Sequence, residues 1–192
     1  MKPDFDVIFI LGPQGSGKGT QAEILAHTLG FFYWEMGAIL RAQRDTVLSD
    51  GSKIGDIIDN AHYLTDPQLI EVLAQNIKSI PKDKGIIFDG VPRRVGQAKF
   101  LMDYLRSIGF SRMVTVYIDV VPEESMKRLL LRAQVQGRPD DTPEGITRRL
   151  AQAQELTGPV LDYLKGETRV FMIDGHPSIP EVAQQIAQAL HL

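Results

Sequence analysis

The nine residues from Gly12 to Thr20 read GPQGSGKGT, with Gly12 and Gly17 five apart and Lys18 directly after the second. This is the spacing of a glycine-rich loop whose backbone N–H groups turn toward one anion while a lysine reaches the outer oxygens of a phosphate chain. Gly15, Ser16, Gly17, Gly19 and Thr20 would line that loop, and a helix after it would add the positive end of its dipole. The general pattern places Ser or Thr directly after the lysine, where the hydroxyl ligates magnesium. Here that position is Gly19, and the hydroxyl arrives one residue later at Thr20. A Mg2+ ion would then sit among phosphates and waters, oriented through water by a carboxylate. Asp89, closing the stretch GIIFD, is the candidate, with capping of the turn at DGVP as its plainer role. No base-reading NKxD element occurs, FDG at Phe88 to Gly90 is not the DFG of protein kinases, and no HRD loop accompanies it.

A phosphate loop has to be held between a strand and a helix, and the flanking residues supply both. FDVIFILG is an apolar run stopped by glycine, the pattern of a strand buried on both faces, and TQAEILAHTLG has helical spacing with Gly30 as its stop. FYWE, GIIFDG, MVTVYIDV and TRVFMID read as further strands, with helical stretches around Val95 to Ile108, Pro122 to Gln134, Pro143 to Leu156 and Ile179 to Leu190. The last of these carries a capping box, Ser178 with Glu181 three residues on. Such alternation predicts an α/β fold, three layers around a five-stranded parallel sheet. Between FYWE and GIIFDG lies a helical excursion, roughly Gly37 to Ile80, too long for a plain crossover. It predicts a helical insert.

Composition narrows the class. At 192 residues the chain fits a single domain able to bury a core and host a cleft. A net charge of -3 argues against a nucleic-acid surface. No run approaches the roughly 20 apolar residues of a membrane span, and the start MKPDFD lacks the pattern of a signal peptide, so a cytoplasmic location is expected. With no cysteine, neither a disulfide framework nor a thiolate zinc site is available. The four histidines, His27, His62, His176 and His191, share no spacing that would make a catalytic group and read as structural or solvated.

Five separated segments then carry a resemblance. GKGTQAE, DGVPRRVGQA, the pair Arg128 and Arg132, GRPDD and TGPVLDYL follow in order the pattern of the adenylate kinase family of nucleoside monophosphate kinases, over essentially the whole chain. The resemblance implies a P-loop kinase fold with a monophosphate-binding insert from Gly37 to about Leu64 and a short lid from Ala133 to Asp141, without the long lid that can hold zinc. It implies transfer of the γ-phosphoryl group of ATP to AMP with Mg2+, by a protein expected to work as a monomer. Arg41 and Arg93 would hold the acceptor phosphate, Arg138 and Arg149 would reach the phosphates in flight, and Arg132 the donor phosphates. Arg128, four residues before Arg132, would lie over the donor adenine, backed by Gly175, His176, Pro177 and Ile179. Met36, Gly37, Leu64, Gly90 and Gln97 would form the acceptor nucleoside site. Arg94, Arg112 and Arg148 do not match the pattern and read as surface charges.

The chemistry suits these residues. A monophosphate oxygen is already an anion at neutral pH, so phosphoryl transfer needs positioning and positive charge more than a general base. Arginine supplies both, since its planar fork binds phosphate bidentately and keeps its charge. Gln97 offers an acceptor and a donor side by side, matching N6–H and N1 of adenine. Against AMP selectivity stands EMGA, Glu35 to Ala38, where most family members resemble STGD: Met36 replaces a threonine near the acceptor base, and Ala38 an aspartate of the magnesium water network. Glu35 either substitutes for that aspartate or caps the following helix electrostatically. Three readings stay open: an AMP kinase, a kinase for UMP, CMP or several monophosphates, and a nucleotide-binding protein with little transferase activity.

Overall fold

Each apolar run named above becomes a strand, and all five pair in parallel. The computed structural model describes residues 3–136 and 142–192. Its order is β1 (Val7–Leu11), α1 (Lys18–Leu29), β2 (Phe32–Glu35), α2 (Met36–Ala42), α3 (Ile54–Asp59), α4 (Asp66–Asn76), β3 (Ile86–Asp89), α5 (Val95–Ser107), β4 (Met113–Asp119), α6 (Pro122–Gln136), α7 (Pro143–Glu167), β5 (Arg169–Asp174) and α8 (Ile179–Leu190). The sheet runs β2-β3-β1-β4-β5. β1 is therefore central, and the loop after it emerges at the carboxyl ends of the strands, where open α/β sheets bind ligands.

Strand alternation builds the three layers. Val7, Phe9, Leu11, Trp34, Ile86 and Phe88 pack on one face with Leu69, Val72 and Leu73 of α4, Leu101 and Leu105 of α5 and Val160 and Leu164 of α7. Ile8, Ile10, Ile87, Val114, Val116 and Ile118 face the other way, against Ala22 and Leu25 of α1 and Val182 and Ile186 of α8. Trp34 belongs to the first core, 3% exposed, with its ring 5.9 Å from that of Phe88.

Two elements depart from expectation. α7 continues past Leu156 to Glu167 with Pro159 inside it. Val160, Leu161 and Leu164 recur at helical spacing and are buried, so tertiary packing outweighs the proline, which sits on the exposed side of the helix together with Glu155. The insert between β2 and β3 is not wholly helical, because Val47 and Lys53 form an antiparallel bridge between α2 and α3. Among the described residues no helix is long and apolar enough to cross a membrane.

Candidate active site

A cleft of about 630 Å3 opens above the carboxyl ends of β1 and β3. Its floor is the Gly12–Thr20 loop. At Gly12 the backbone has φ 145°, and a β-carbon there would lie 2.3 Å from the Ile118 carbonyl oxygen, so only glycine lets the loop leave β1 this close to β4. Gly15 is likewise pressed on the Ser125 carbonyl of α6. Ser16 is buried, while Gly15, Gly17, Lys18, Gly19 and Thr20 line the cleft. Lys18 Nζ donates to the Pro13 carbonyl at 2.7 Å, curling back over the loop. Burial lowers its pKa to about 8, and Arg93 and Arg132 nearby push the same way against the opposing pull of Asp89. Three cations and one carboxylate thus meet where an outer phosphate would lie.

Asp89 ends β3 and is 8% exposed. Its Oδ2 accepts a hydrogen bond from the Tyr33 hydroxyl at 3.1 Å, and the pair sits beside Gly19, where an added β-carbon would be 3.4 Å from Oδ2. Burial first, then the Asp89 charge, raises the Tyr33 pKa well above the usual phenol range, which keeps this hydroxyl a donor. Among the described residues no group of three or more His, Asp or Glu side chains forms a metal cage. One carboxylate beside a phosphate loop, with Thr20 in the cleft wall, is the donor set of an ion held chiefly by substrate phosphates and waters, which fits Mg2+.

The opposite wall holds the acceptor candidates. Met36, Gly37, Arg41, Leu64, Gly90, Arg93 and Gln97 all line the cleft. Met36 and Leu64 are nonetheless core side chains, 2% and 3% exposed, so they close the wall more than they present a surface. Arg41 donates to Glu35 Oε1 at 2.7 Å. Glu35 occupies the N-cap position of α2 without a side-chain cap bond; its carboxylate serves Arg41 instead. Ala38 is not among the lining residues. The Arg93 guanidinium lies over the Tyr63 ring, 4.1 Å from its centroid, and its Nε–H donates to the Gly90 carbonyl at 2.9 Å. Gln97 is 2% exposed; its Oε1 accepts the Arg93 backbone N–H at 2.8 Å and its Nε2 donates to Asp66 Oδ1 at 3.2 Å. Each end of that amide keeps one further hydrogen-bonding site for a ligand.

Arg128, Arg132 and Arg149 line the cleft from α6 and α7. Arg128 is braced by Glu124 at 2.7 Å and donates to the His176 carbonyl at 3.4 Å. His176 therefore sits beside Arg128, and Gly175, His176, Pro177 and Ile179 are not among the cleft-lining residues. His176 is a structural side chain, held by Asp174 through Nδ1 and accepting the Val121 N–H at Nε2. Arg138 and the GRPDD segment lie outside the described residues. Arg148 is more than a surface charge, since its Nη1 donates to the Asn60 carbonyl of the insert. Sequence reading missed Tyr33, Tyr63, Asp66 and Gln152, whose contacts Tyr33–Asp89, Tyr63–Arg93, Asp66–Gln97 and Tyr63–Gln152 span 30 to 89 residues; no local spacing marks them.

The comparisons agree with this geometry. The family model described as adenylate kinase matches residues 10–169. An adenylate kinase of Phocaeicola vulgatus is 36% identical over 183 residues, 95% of this chain and 97% of that protein. One from Parabacteroides distasonis is 35% identical over 184 residues, covering 96% and 97%, and one from Stenotrophomonas maltophilia 34% over 183 residues, covering 95% and 98%. With the phosphate loop, the parallel sheet order and full-length relatives in agreement, the chain belongs to the adenylate kinase family of nucleoside monophosphate kinases.

Proposed function

We propose that the cleft carries out its adenylate kinase chemistry, ATP plus AMP giving two ADP, by dividing the work between its walls. The observation that carries this assignment is the meeting of Lys18, Arg93, Arg132 and Arg149 with the Gly12–Thr20 loop in one cleft. The loop from Gly15 to Thr20 cradles the donor phosphates, with Lys18 and Arg132 at the outer ones. Arg128 covers the donor adenine, backed by the segment from Gly175 to Ile179. Arg41 and Arg93 grip the acceptor phosphate, and Gln97 meets the acceptor base through the two sites its amide keeps. Arg149, joined by Arg138 from the lid segment, neutralises charge on the group in transit.

An acceptor phosphate oxygen attacks the γ-phosphorus as the bond from that phosphorus to the β–γ bridging oxygen breaks. The electron pair leaves with the β-phosphate of the new ADP, and no proton need move. Arginines whose positions are set beforehand stabilise the charge spread over the transferring group. A Mg2+ ion, when bound, would supply charge neutralisation to the donor phosphates, and Asp89, held by Tyr33, would hold it through water. The bounds of the insert, about residues 37–64, and of the lid, 133–141, follow the same reading, as do a monomeric state and work in the cytoplasm.

One observation favours a second reading of the acceptor. Met36, buried at the wall, can pack against a base but cannot read its edge, so discrimination falls on Gln97 alone. A coupled assay over AMP, CMP and UMP separates the two: AMP should exceed the others in kcat/KM by about tenfold or more. Equal turnover of all three would transfer the assignment to a broad-specificity monophosphate kinase.

A further inference from the structure

We propose that Tyr63 is a positioning residue for the reaction, holding Arg93 in its phosphate-binding pose and tying it to the helix that carries Arg149. The inference rests on the acceptor-phosphate role assigned to Arg93. Three contacts fix that arginine before any ligand arrives. Its backbone N–H is held by Gln97, its Nε–H by the Gly90 carbonyl, and the plane of its guanidinium by the Tyr63 ring at 4.1 Å. Only the terminal Nη groups are left without a hydrogen-bond partner among the described residues, and they face a cleft that needs donors for phosphate. An arginine has four side-chain torsions to order, and a flat aromatic face orders them in advance, so less entropy is lost when phosphate binds. Both partners of the stack are half-buried, and the ring adjoins a small cavity of about 40 Å3 lined in part by Tyr117, Leu156 and Val160. A desolvated cation–π contact is stronger than an exposed one.

Tyr63 also connects the end of the insert to α7. Its hydroxyl donates to the Arg149 carbonyl at 3.3 Å, and its backbone N–H donates to Gln152 Oε1 at 3.2 Å. Gln152 returns a bond to the Ala61 carbonyl at 3.2 Å, and Arg148 holds the carbonyl of Asn60. The loop that closes the insert is thereby docked on the first turns of α7. Ala61 takes the left-handed backbone needed there, φ 56°, although it is not glycine. The acceptor arginine and the α7 arginine are thus spaced by one tyrosine. An aliphatic residue at position 63 would cover the same apolar area but give the guanidinium no face to lie on.

The test compares Tyr63→Leu and Tyr63→Phe in the whole protein, reading steady-state constants for both nucleotides and the Arg93 Nε–H resonance. Loss of the ring should raise KM for AMP by about tenfold while KM for ATP stays within about twofold, and the ring-keeping Tyr63→Phe should stay within about threefold of the parent in both. The Arg93 Nε–H resonance should carry a ring-current shift in the parent and in Tyr63→Phe, and lose it in Tyr63→Leu. In an Arg93→Ala background, Tyr63→Leu should add less than about twofold, because its effect passes through that arginine. An unchanged KM for AMP in Tyr63→Leu, equal damage from Tyr63→Phe, or an unshifted Arg93 resonance in the parent would overturn the proposal; the last needs no variant to fold. Near-normal activity of Arg93→Ala alone would instead sink the acceptor-site reading. A crippled Arg93→Ala beside an indifferent Tyr63→Leu sinks only the role of the tyrosine.

Discussion

The two walls of the cleft are made of different material. On the side assigned to the donor, the loop offers backbone N–H groups beside the side chains of Lys18, Arg128 and Arg132, and its course is set by glycines with no room for a side chain at Gly12 and Gly15, against the Ile118 and Ser125 carbonyls. On the acceptor side they are side chains, and each is held by another: Arg41 by Glu35, Arg93 by Tyr63 and Gly90, Gln97 by Asp66. A backbone site is specified by a short contiguous motif and tolerates little change. A side-chain site is specified by pairs, near in sequence for Glu35 and Arg41 and distant for Tyr63 and Arg93 or Asp66 and Gln97, and one partner can be exchanged if the other follows.

Two substitutions bring the contrast to its largest scale. Arg93→Ala removes a charged donor from the acceptor wall and should lower kcat/KM for AMP by about 10³-fold with little change in Tm, measured by a coupled assay and calorimetry. Gly12→Ala should do the reverse. A β-carbon 2.3 Å from a backbone oxygen at φ 145° has no flexible neighbour to yield. Destabilisation of about 2–3 kcal/mol, a fall in Tm of roughly 5–10 °C, should accompany loss of ATP binding. A Gly12→Ala protein with parental Tm would break the distinction between the walls.

The same division decides what could be read from the sequence. The donor loop was legible because its chemistry is local: Gly12, Gly17 and Lys18 stand in one turn between a strand and a helix. The sheet was legible because Val7–Leu11 and Met113–Asp119 are apolar runs with turn residues at their ends. Arg41, Arg93 and Gln97 were found through family resemblance, but what holds them was not. Tyr63 is 30 residues before Arg93 in sequence and touches it through the fold alone. Tyr33 looked like an ordinary strand residue until β2 paired with β3 and set its hydroxyl against Asp89. The helical stretch from Pro143 was expected only as far as Leu156, because the burial of Val160 and Leu164 that carries α7 on past Pro159 is tertiary.

A smaller effect sharpens the donor side. Lys18 has its pKa lowered to about 8 in the ligand-free protein, and phosphate oxygens favour its protonated form. ATP affinity should therefore fall about tenfold between pH 7 and 9, and binding near pH 8.5 should take up protons, as calorimetry in buffers of different ionisation enthalpy would show. The sign reverses for the free fold. Between about 8 and the ordinary value of 10.5 the unfolded chain holds the lysine proton more firmly than the folded one, so stability from this group rises with pH across that window. Lys18→Arg, charged throughout, should show neither limb.

The smallest effect belongs to the acceptor wall. Glu35 pairs with Arg41 at 2.7 Å, with both side chains partly exposed, so the pair itself is worth little. With Arg41 assigned to the acceptor phosphate, its carboxylate would compete with that phosphate for the same guanidinium and repel it. Glu35→Gln keeps a hydrogen-bond acceptor for Arg41 while removing the charge, and should lower KM for AMP by about two- to threefold with kcat unchanged. The gain should shrink at high salt, since exposed charges are screened. A rise in KM would give Glu35 a different role, holding Arg41 in place more than competing for it. The acceptor wall would then contain two arginines positioned by neighbours, Arg41 through a carboxylate and Arg93 through an aromatic ring.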